Sequence, residues 1–429
     1  MMQYNAIACT GLGYSHISAN KICQDYSLAV ETDDFQAVIV SDGHGSSNFV
    51  RSDRGSKFAC EASEEALKEF MTLFPHDSFH LTSSGSVRDE NQIVAQLCKN
   101  ILLRWNQKID RDVKEDPFTE EEVKDVAEKY RFRYLQGEAI DHAYGATLII
   151  ALVTENFFLA IRNGDGECVR IDSEGTLDTP IPWNENCEFN VTTSLCDQEA
   201  INDFRYYYSE TLPAAVFIGS DGVDDSYSSQ SDLFHLYRRL SLTGLDHGAE
   251  ELRQYIEDFL PELTRRGSGD DVSIACLLDP VALQGARASM ESVLEERKKQ
   301  YEEEEQKRQE RIQLANVRRA EANLEKLARQ MKQLETDQLE NKKKIGLLPG
   351  FKQLCAVNAE IVHQKEELEK EIAEAQLQLQ QMQSFDSDTP ADKESPRAPE
   401  AGEPSAAEPE ESQSTALTDG GPEDQQDTF

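Results

Sequence analysis

Short apolar runs broken by Gly, Asp and Asn occupy the chain up to about residue 279. β-Branched and aromatic residues gather at Ala37 to Val40, Thr147 to Val153, Phe157 to Ile161, Glu167 to Ile171, Ala214 to Ile218 and Val272 to Leu278, a composition that suits a pleated, buried surface. Thr154-Glu155-Asn156 and Asn163-Gly164-Asp165-Gly166 are turn clusters, so the second, third and fourth of these strands are expected to form an antiparallel meander. Amphipathic polar stretches predict helices near 55–72, 90–110, 119–134, 230–241 and 248–260. Strands in hairpins, with helices in stretches of their own, imply a layered α+β fold.

From about 284 to 383 the pattern changes to Glu, Lys, Arg, Gln and Leu with almost no aromatic residues, which is the texture of long helix. Val317, Ala320, Leu324, Leu327, Met331 and Leu334 alternate spacings of three and four, as do Leu368, Ile372, Ala375, Leu379 and Met382. Each set makes a narrow seam that must be covered by another helix. Gly346-Leu347-Leu348-Pro349-Gly350 separates them. A tight turn there would place the partner helix in the same chain, and a kink would call for a second copy. The remaining 384–429 are Pro, Ser, Glu, Asp and Gly, too poor in apolar surface to offset the cost of ordering. Three regions are therefore expected: a globular domain over 1–279, a helical coiled-coil region over 284–383 with a break at 346–350, and a disordered acidic tail over 384–429.

A chain of 429 residues is long for one core, which agrees with that division. The formal net charge of -38 argues against nucleic acid or an anionic membrane as a partner and favours divalent cations or basic proteins. No apolar run is long enough to cross a bilayer, and Met1-Met2-Gln3-Tyr4-Asn5 lacks a basic-then-apolar signal, so a cytoplasmic protein is expected. Nine cysteines without a Cys-x-x-Cys pair fit a reducing compartment better than a disulfide framework or a thiolate zinc site.

Val38-Ile39-Val40-Ser41-Asp42-Gly43 is echoed by Phe217-Ile218-Gly219-Ser220-Asp221-Gly222. Two apolar strands thus end on the same Ser-Asp-Gly step. A third begins after Gly269-Asp270-Asp271, and Gln24-Asp25 precedes the first apolar run. A single Asp-Gly is more often just a turn. Four carboxylate sites at strand edges instead suit hard cations such as Mg²⁺ or Mn²⁺, which take oxygen ligands and keep several waters. His44, next to Asp42-Gly43, is placed to handle protons.

The ordered set Gln24-Asp25, Asp42-Gly43-His44-Gly45, Gly145-Ala146-Thr147, Gly164-Asp165-Gly166, Ser220-Asp221-Gly222-Val223 and Asp270-Asp271-Val272-Ser273 resembles the type 2C, or PPM-type, metal-dependent serine/threonine protein phosphatases. The resemblance covers about residues 1–279. It implies a sandwich of two antiparallel sheets flanked by helices, with two Mn²⁺ or Mg²⁺ ions and a weaker third at one end. It also implies hydrolysis of phosphoserine and phosphothreonine by a water that two metals activate, and phosphoproteins, such as a kinase or its targets, as substrates. By the same resemblance Asp42 bridges both metals, the Gly43 carbonyl completes one shell, Asp221 and Asp270 hold the other ion, and Asp165 with Asp221 holds the third. Asp25 would hydrogen-bond a metal-held water, and His44 would protonate the leaving alkoxide.

Three positions depart from the family pattern. Asn20 stands where many members have a phosphate-clamping arginine, leaving Lys21, Arg51 and Arg54 as candidate replacements. Gln24 replaces a glutamate, and Asp271 stands where asparagine is common, with Asp270 at the ligand position and Asp271 a supporting acceptor. The alternative function is a phosphatase-like scaffold of weak or no activity that assembles partners, or a second copy, through its coiled coil. The loss of the arginine favours it, and the retained aspartates oppose it. Hydrolysis of a small phosphorylated metabolite is a third possibility, made less attractive by the coiled coil.

Overall fold

The computed structural model describes residues 4–74, 84–86, 92–187, 192–345 and 351–384. In chain order the elements begin β1 (Asn5–Gly11), α1 (Tyr14–Ala19), β2 (Tyr26–Glu31), β3 (Gln36–Ser41), α2 (Ser52–Leu73), β4 (Ser84–Ser86), α3 (Gln92–Glu115) and α4 (Glu128–Leu135). They continue with β5 (Leu148–Val153), β6 (Phe158–Asn163), β7 (Cys168–Ile171), β8 (Leu177–Asp178), β9 (Arg205–Ser209), β10 (Ala215–Gly219) and α5 (Asp221–Asp224). The last are α6 (Gln230–His247), α7 (Ala249–Arg266), β11 (Val272–Leu278), α8 (Pro280–Ile345) and α9 (Phe351–Ser384). The chain divides into two compact units, the first running to Leu294 and the second starting at Glu295.

Two antiparallel sheets build the first unit. One has the order β1-β11-β10-β7-β8 and the other β2-β3-β5-β6-β9-β4. Strand alternation sorts the side chains into layers. Val38, Val40, Ile149 and Ala151 meet Val216, Ile218, Ala275 and Leu277 between the sheets. Their neighbours Ala37, Ile39, Ile150 and Leu152 point the other way, into a core shared with α2 and α3. Phe217, Ile274 and Cys276 likewise pack under α6 and α7. Because both faces of the central strands are covered, those strands read as continuous apolar runs. The expected α+β sandwich flanked by helices is what the chain forms.

Two local expectations differ. β5 and β6 form a hairpin, but the next strand leaves it: β7 pairs with β10 in the other sheet, Cys168 opposite Ile218, while β6 takes β9 as its second neighbour. The Asn163 to Gly166 turn is therefore a crossing between sheets. The helix expected over 119–134 is turns over 120–125 followed by the short α4. There the Thr119 hydroxyl accepts the Glu122 N–H at 3.3 Å and the Val123 N–H bonds the Thr119 carbonyl at 3.2 Å. That turn buries Val123 and Val126.

Helix α8 begins inside the first unit. Leu283, Ala286 and Met290 are fully buried in the core beneath the five-stranded sheet's helices, and Arg287 pairs with Asp246. In the second unit Leu327 of α8 and Leu368 of α9 are buried, and Lys365 approaches Glu335 at 3.7 Å. The expected break at 346–350 and the acidic tail beyond Ser384 lie outside the described residues.

Candidate active site

Strand register brings the chemistry to one end of the sandwich. Tyr26 pairs with Ser41, so Asp25 and Asp42 leave the same end of the β2–β3 hairpin. Val40 faces Ile149, and the Asp42 N–H reaches the Thr147 hydroxyl at 3.1 Å while the Thr147 N–H returns to the Asp42 carbonyl at 2.8 Å. Leu148 opposite Asn163 puts Asp165 beside them. In the second sheet Gly219 opposite Ile274 brings Asp221 to the start of β11, next to Asp270 and Asp271. The backbone at Gly43 is so closely approached that a Cβ would lie 2.5 Å from the Ser52 carbonyl oxygen and 2.6 Å from that of Gln24. Only glycine lets the chain turn there.

Asp42, Gly43, His44, Asp165, Asp221 and Asp270 line a cavity of about 390 Å³ together with Gln24, Gly45, Ser46, Phe49, Thr147, Thr192 and Asp271. Asp25 is buried and outside this lining, and its charge bears on Asp42. Lys21 is exposed and is not part of the lining. Arg51 and Arg54 point elsewhere. The Arg51 guanidinium is buried over the Phe118 ring, donating to Glu122 at 2.6 and 2.9 Å and to the Tyr144 hydroxyl at 2.9 Å. Arg54 is held by Asp112 at 2.9 Å and Asp116 at 2.7 Å. No lysine or arginine is found among the described lining residues.

The two adjacent aspartates separate cleanly. Asp271 is buried and accepts from the Gly13 N–H at 2.6 Å, the Gln24 N–H at 2.6 Å and His16 Nδ1 at 3.0 Å, so it ties the N-terminal loop to β11. Asp270 keeps 61% of its side chain exposed, with His16 Nε2 3.7 Å away. His16, Asp270 and Asp271 also bring ligand-type atoms within 4.8 Å of one another, but the bonds just described already occupy Asp271. Gln24, unassigned from sequence beyond its place in the motif, donates to the His44 carbonyl at 3.1 Å and the Ser52 hydroxyl at 2.5 Å. It braces the loop that carries His44.

Electrostatics decide what this end of the sandwich suits. Removal from water raises the Asp42 carboxyl well above its ordinary range, and Asp25 and Asp221 add to the rise. Burial also raises Asp221; the Asp42 hydrogen bond opposes it, and Asp165, Asp225 and Asp270 reinforce it. Burial lifts Asp25 to about 7. The Ser220 and Ser273 hydroxyls are close enough to oppose that rise, but neither Asp25 oxygen has a hydrogen bond of proper geometry. Crowded carboxylates, orphaned buried oxygens and a described lining without lysine or arginine fit hard divalent cations. His44 behaves oppositely: burial, then His142, push its imidazole down to about 4.

The chain matches the family model described as Protein phosphatase 2C over residues 12–260. It is similar to a bacterial serine phosphatase at 16% identity, with 64% of this chain and 97% of that one covered and a TM-score of 0.39. PppA, described as a key regulatory component of T6SS in Pseudomonas aeruginosa, is 15% identical, with 65% and 98% covered and a TM-score of 0.41. Serine/threonine phosphatase Stp1 from Staphylococcus aureus is 16% identical, with 65% and 95% covered and a TM-score of 0.39. Comparison with curated proteins gave no match.

Proposed function

The chain belongs to the protein phosphatase 2C family, and from that premise we propose that it is a metal-dependent phosphatase acting on phosphoserine and phosphothreonine in proteins, a kinase or its targets among them. One observation carries the reading: Asp42, Asp165, Asp221 and Asp270 leave separate strands at one end of the sandwich and line a single cavity. We assign Asp42, the Gly43 carbonyl, Asp221 and Asp270 to hold two ions, Mn²⁺ or Mg²⁺, and Asp165 with Asp221 to hold a weaker third. When bound, such ions polarise water and stabilise negative charge on phosphoryl oxygens.

The chain's own groups then divide the remaining work. Asp25, its oxygens without hydrogen bonds, is assigned to accept one from a water at the cavity wall. His44 lines the cavity and is assigned the proton for the leaving alkoxide; with its pKa near 4 its imidazolium is a strong acid but a scarce one at neutral pH. Of the bases considered for the phosphate, Arg51 and Arg54 are engaged by carboxylates, which leaves Lys21 or the ions themselves. We assign the phosphatase domain to the first unit and partner recruitment to the coiled coil that we propose for α8 and α9.

The test is hydrolysis of an aryl phosphate and a phosphothreonine peptide by purified protein, with Mn²⁺ and then with a chelator. Turnover should vanish on chelation, and Asp42→Asn should cut it by orders of magnitude without altering the circular dichroism. Turnover that survives in metal-stripped protein would overturn the assignment. The lack of an arginine or lysine in the described lining favours a second reading, a scaffold without catalysis; folded, Mn²⁺-loaded protein that hydrolyses neither substrate would support it.

A further inference from the structure

Helix α4 carries Lys129, Arg131 and Arg133, all exposed, on a chain with 81 acidic and 43 basic residues. Several cations of the first unit are neutralised: Arg104 by Glu69, Lys108 by Glu65, Arg170 by Asp178. Among the described residues no ion pair holds Lys129, Arg131 or Arg133. Lys129 Nζ sits 4.3 Å over the Tyr130 ring, and the one side-chain hydrogen bond of Arg131 reaches the Lys124 carbonyl at 3.5 Å. Phe132, between the two arginines, is 64% exposed. With a spacing of three and four, Lys129, Phe132 and Arg133 share one outward face.

This helix is fastened to the cavity. Tyr130 stacks on His142 at 4.0 Å, His142 on Phe49 at 4.7 Å, and Phe49 meets His44 edge-on at 4.7 Å. Phe49 and His44 belong to the lining. Asn48, in the same loop, accepts the Ala127 N–H at 3.0 Å and the Tyr134 hydroxyl at 2.9 Å. An extended peptide, rising roughly 3.3 Å per residue, covers three such ring contacts in about four residues.

We propose that α4 is a docking surface for the acidic flank of a phosphorylated protein segment whose phosphoresidue enters the cavity. The cavity's carboxylates are assigned to the ions that take the phosphate, so the acidic side chains of a substrate need a contact of their own, and the guanidinium and ammonium groups of α4 that no ion pair holds supply it. On that face the Arg133 guanidinium fork suits a carboxylate, Lys129 adds a second positive charge, and Phe132 offers an apolar contact beside them, with Arg131 extending the positive charge around the helix. Where the phosphate sits rests on the phosphatase reading above; the acidic-flank contact does not.

The test uses the full chain and a triple variant, Lys129→Glu, Arg131→Glu and Arg133→Glu, with Lys129→Gln, Arg131→Gln and Arg133→Gln as a milder second set. Binding of labelled phosphothreonine peptides, one with glutamates and one with serines four to six residues from the phosphate, is read by fluorescence anisotropy at low salt. The wild type should prefer the acidic peptide by about tenfold, the charge-reversed protein should lose that preference, and the neutralised one should lose most of it. Hydrolysis of an aryl phosphate should be unchanged in both variants. Equal affinity of the wild type for the two peptides, a preference that survives both variants, or capture of anionic vesicles in place of the acidic peptide overturns the proposal. Failure to hydrolyse the aryl phosphate counts against the phosphatase reading alone, because the anisotropy comparison needs no turnover.

Discussion

Arg51 follows Asp42-Gly43-His44-Gly45 closely enough in sequence to suggest a phosphate clamp, yet its charge is spent on Glu122, Asp112 and Tyr144. Arg51→Ala would remove a buried guanidinium and leave the partly buried Glu122 without its cation, while Asp112 keeps Arg54 and the Tyr144 hydroxyl, and should cost roughly 1–3 kcal/mol of stability. Thermal unfolding should show this as a lowered midpoint, while KM for an aryl phosphate stays within about twofold of wild type. A raised KM with an unchanged melting curve would return Arg51 to the phosphate. The same contrast explains what could be read from residues alone. Asp42 and Asp221 were legible because each ends an apolar strand on Ser-Asp-Gly. That Asp271 would be an acceptor within the fold was legible only as a preference, because Gly13, His16 and Gln24, distant in sequence from it, supply the bonds that engage it.

Among the elements, long apolar strands were easy to find, and strands made by their partners were not. β1, Asn-Ala-Ile-Ala-Cys-Thr-Gly, has little strand propensity of its own and is held by seven paired positions along β11. Turn residues at Asn163 to Gly166 say that the chain reverses but not into which sheet it goes, so the meander was read where a crossing occurs. Between 119 and 134, charge-rich spacing looked helical, but the burial of Val123 and Val126 set the local path. Helix α8 starts earlier in the packed core than its composition suggests, which sets where the first unit can be cut. A chain ending after Leu294 should fold cooperatively, whereas one ending at Asp279 loses the buried Leu283, Ala286 and Met290. At about 1.5–3 kcal/mol for each large apolar side chain, roughly 4 kcal/mol goes with them. Differential scanning calorimetry of the two lengths distinguishes the cases; equal midpoints would show that the start of α8 adds nothing to the core.

For the molecule as a whole, excess negative charge and crowded carboxylates act in the same direction. A carboxyl whose pKa is higher folded than unfolded binds more protons in the native state, so its contribution to stability falls as pH rises between the two values. For Asp25 that window runs from 3.8 to about 7, and Asp42 and Asp221 shift in the same direction. Chelated protein should therefore melt higher near pH 5.5 than near pH 8, and Mn²⁺ at pH 8 should raise the midpoint because only the folded chain gathers the carboxylates proposed to hold it. Asp42→Asn should raise the metal-free midpoint at pH 8 and remove most of the Mn²⁺ response. A full Mn²⁺ shift in that variant would place the ions elsewhere.

The pairing of β1 with β11 also sets an order of events during synthesis. Among the described strands of its sheet β1 has β11 as its one neighbour, Gly11 opposite Val272, so β1 leaves the ribosome long before the strand it pairs with. At roughly 5–20 residues per second the wait is on the order of ten to fifty seconds. Throughout that interval Ile7 and Cys9, which the finished fold buries, remain available to other chains or to a holding chaperone, and the nascent sandwich closes only when Val272 to Leu278 emerge.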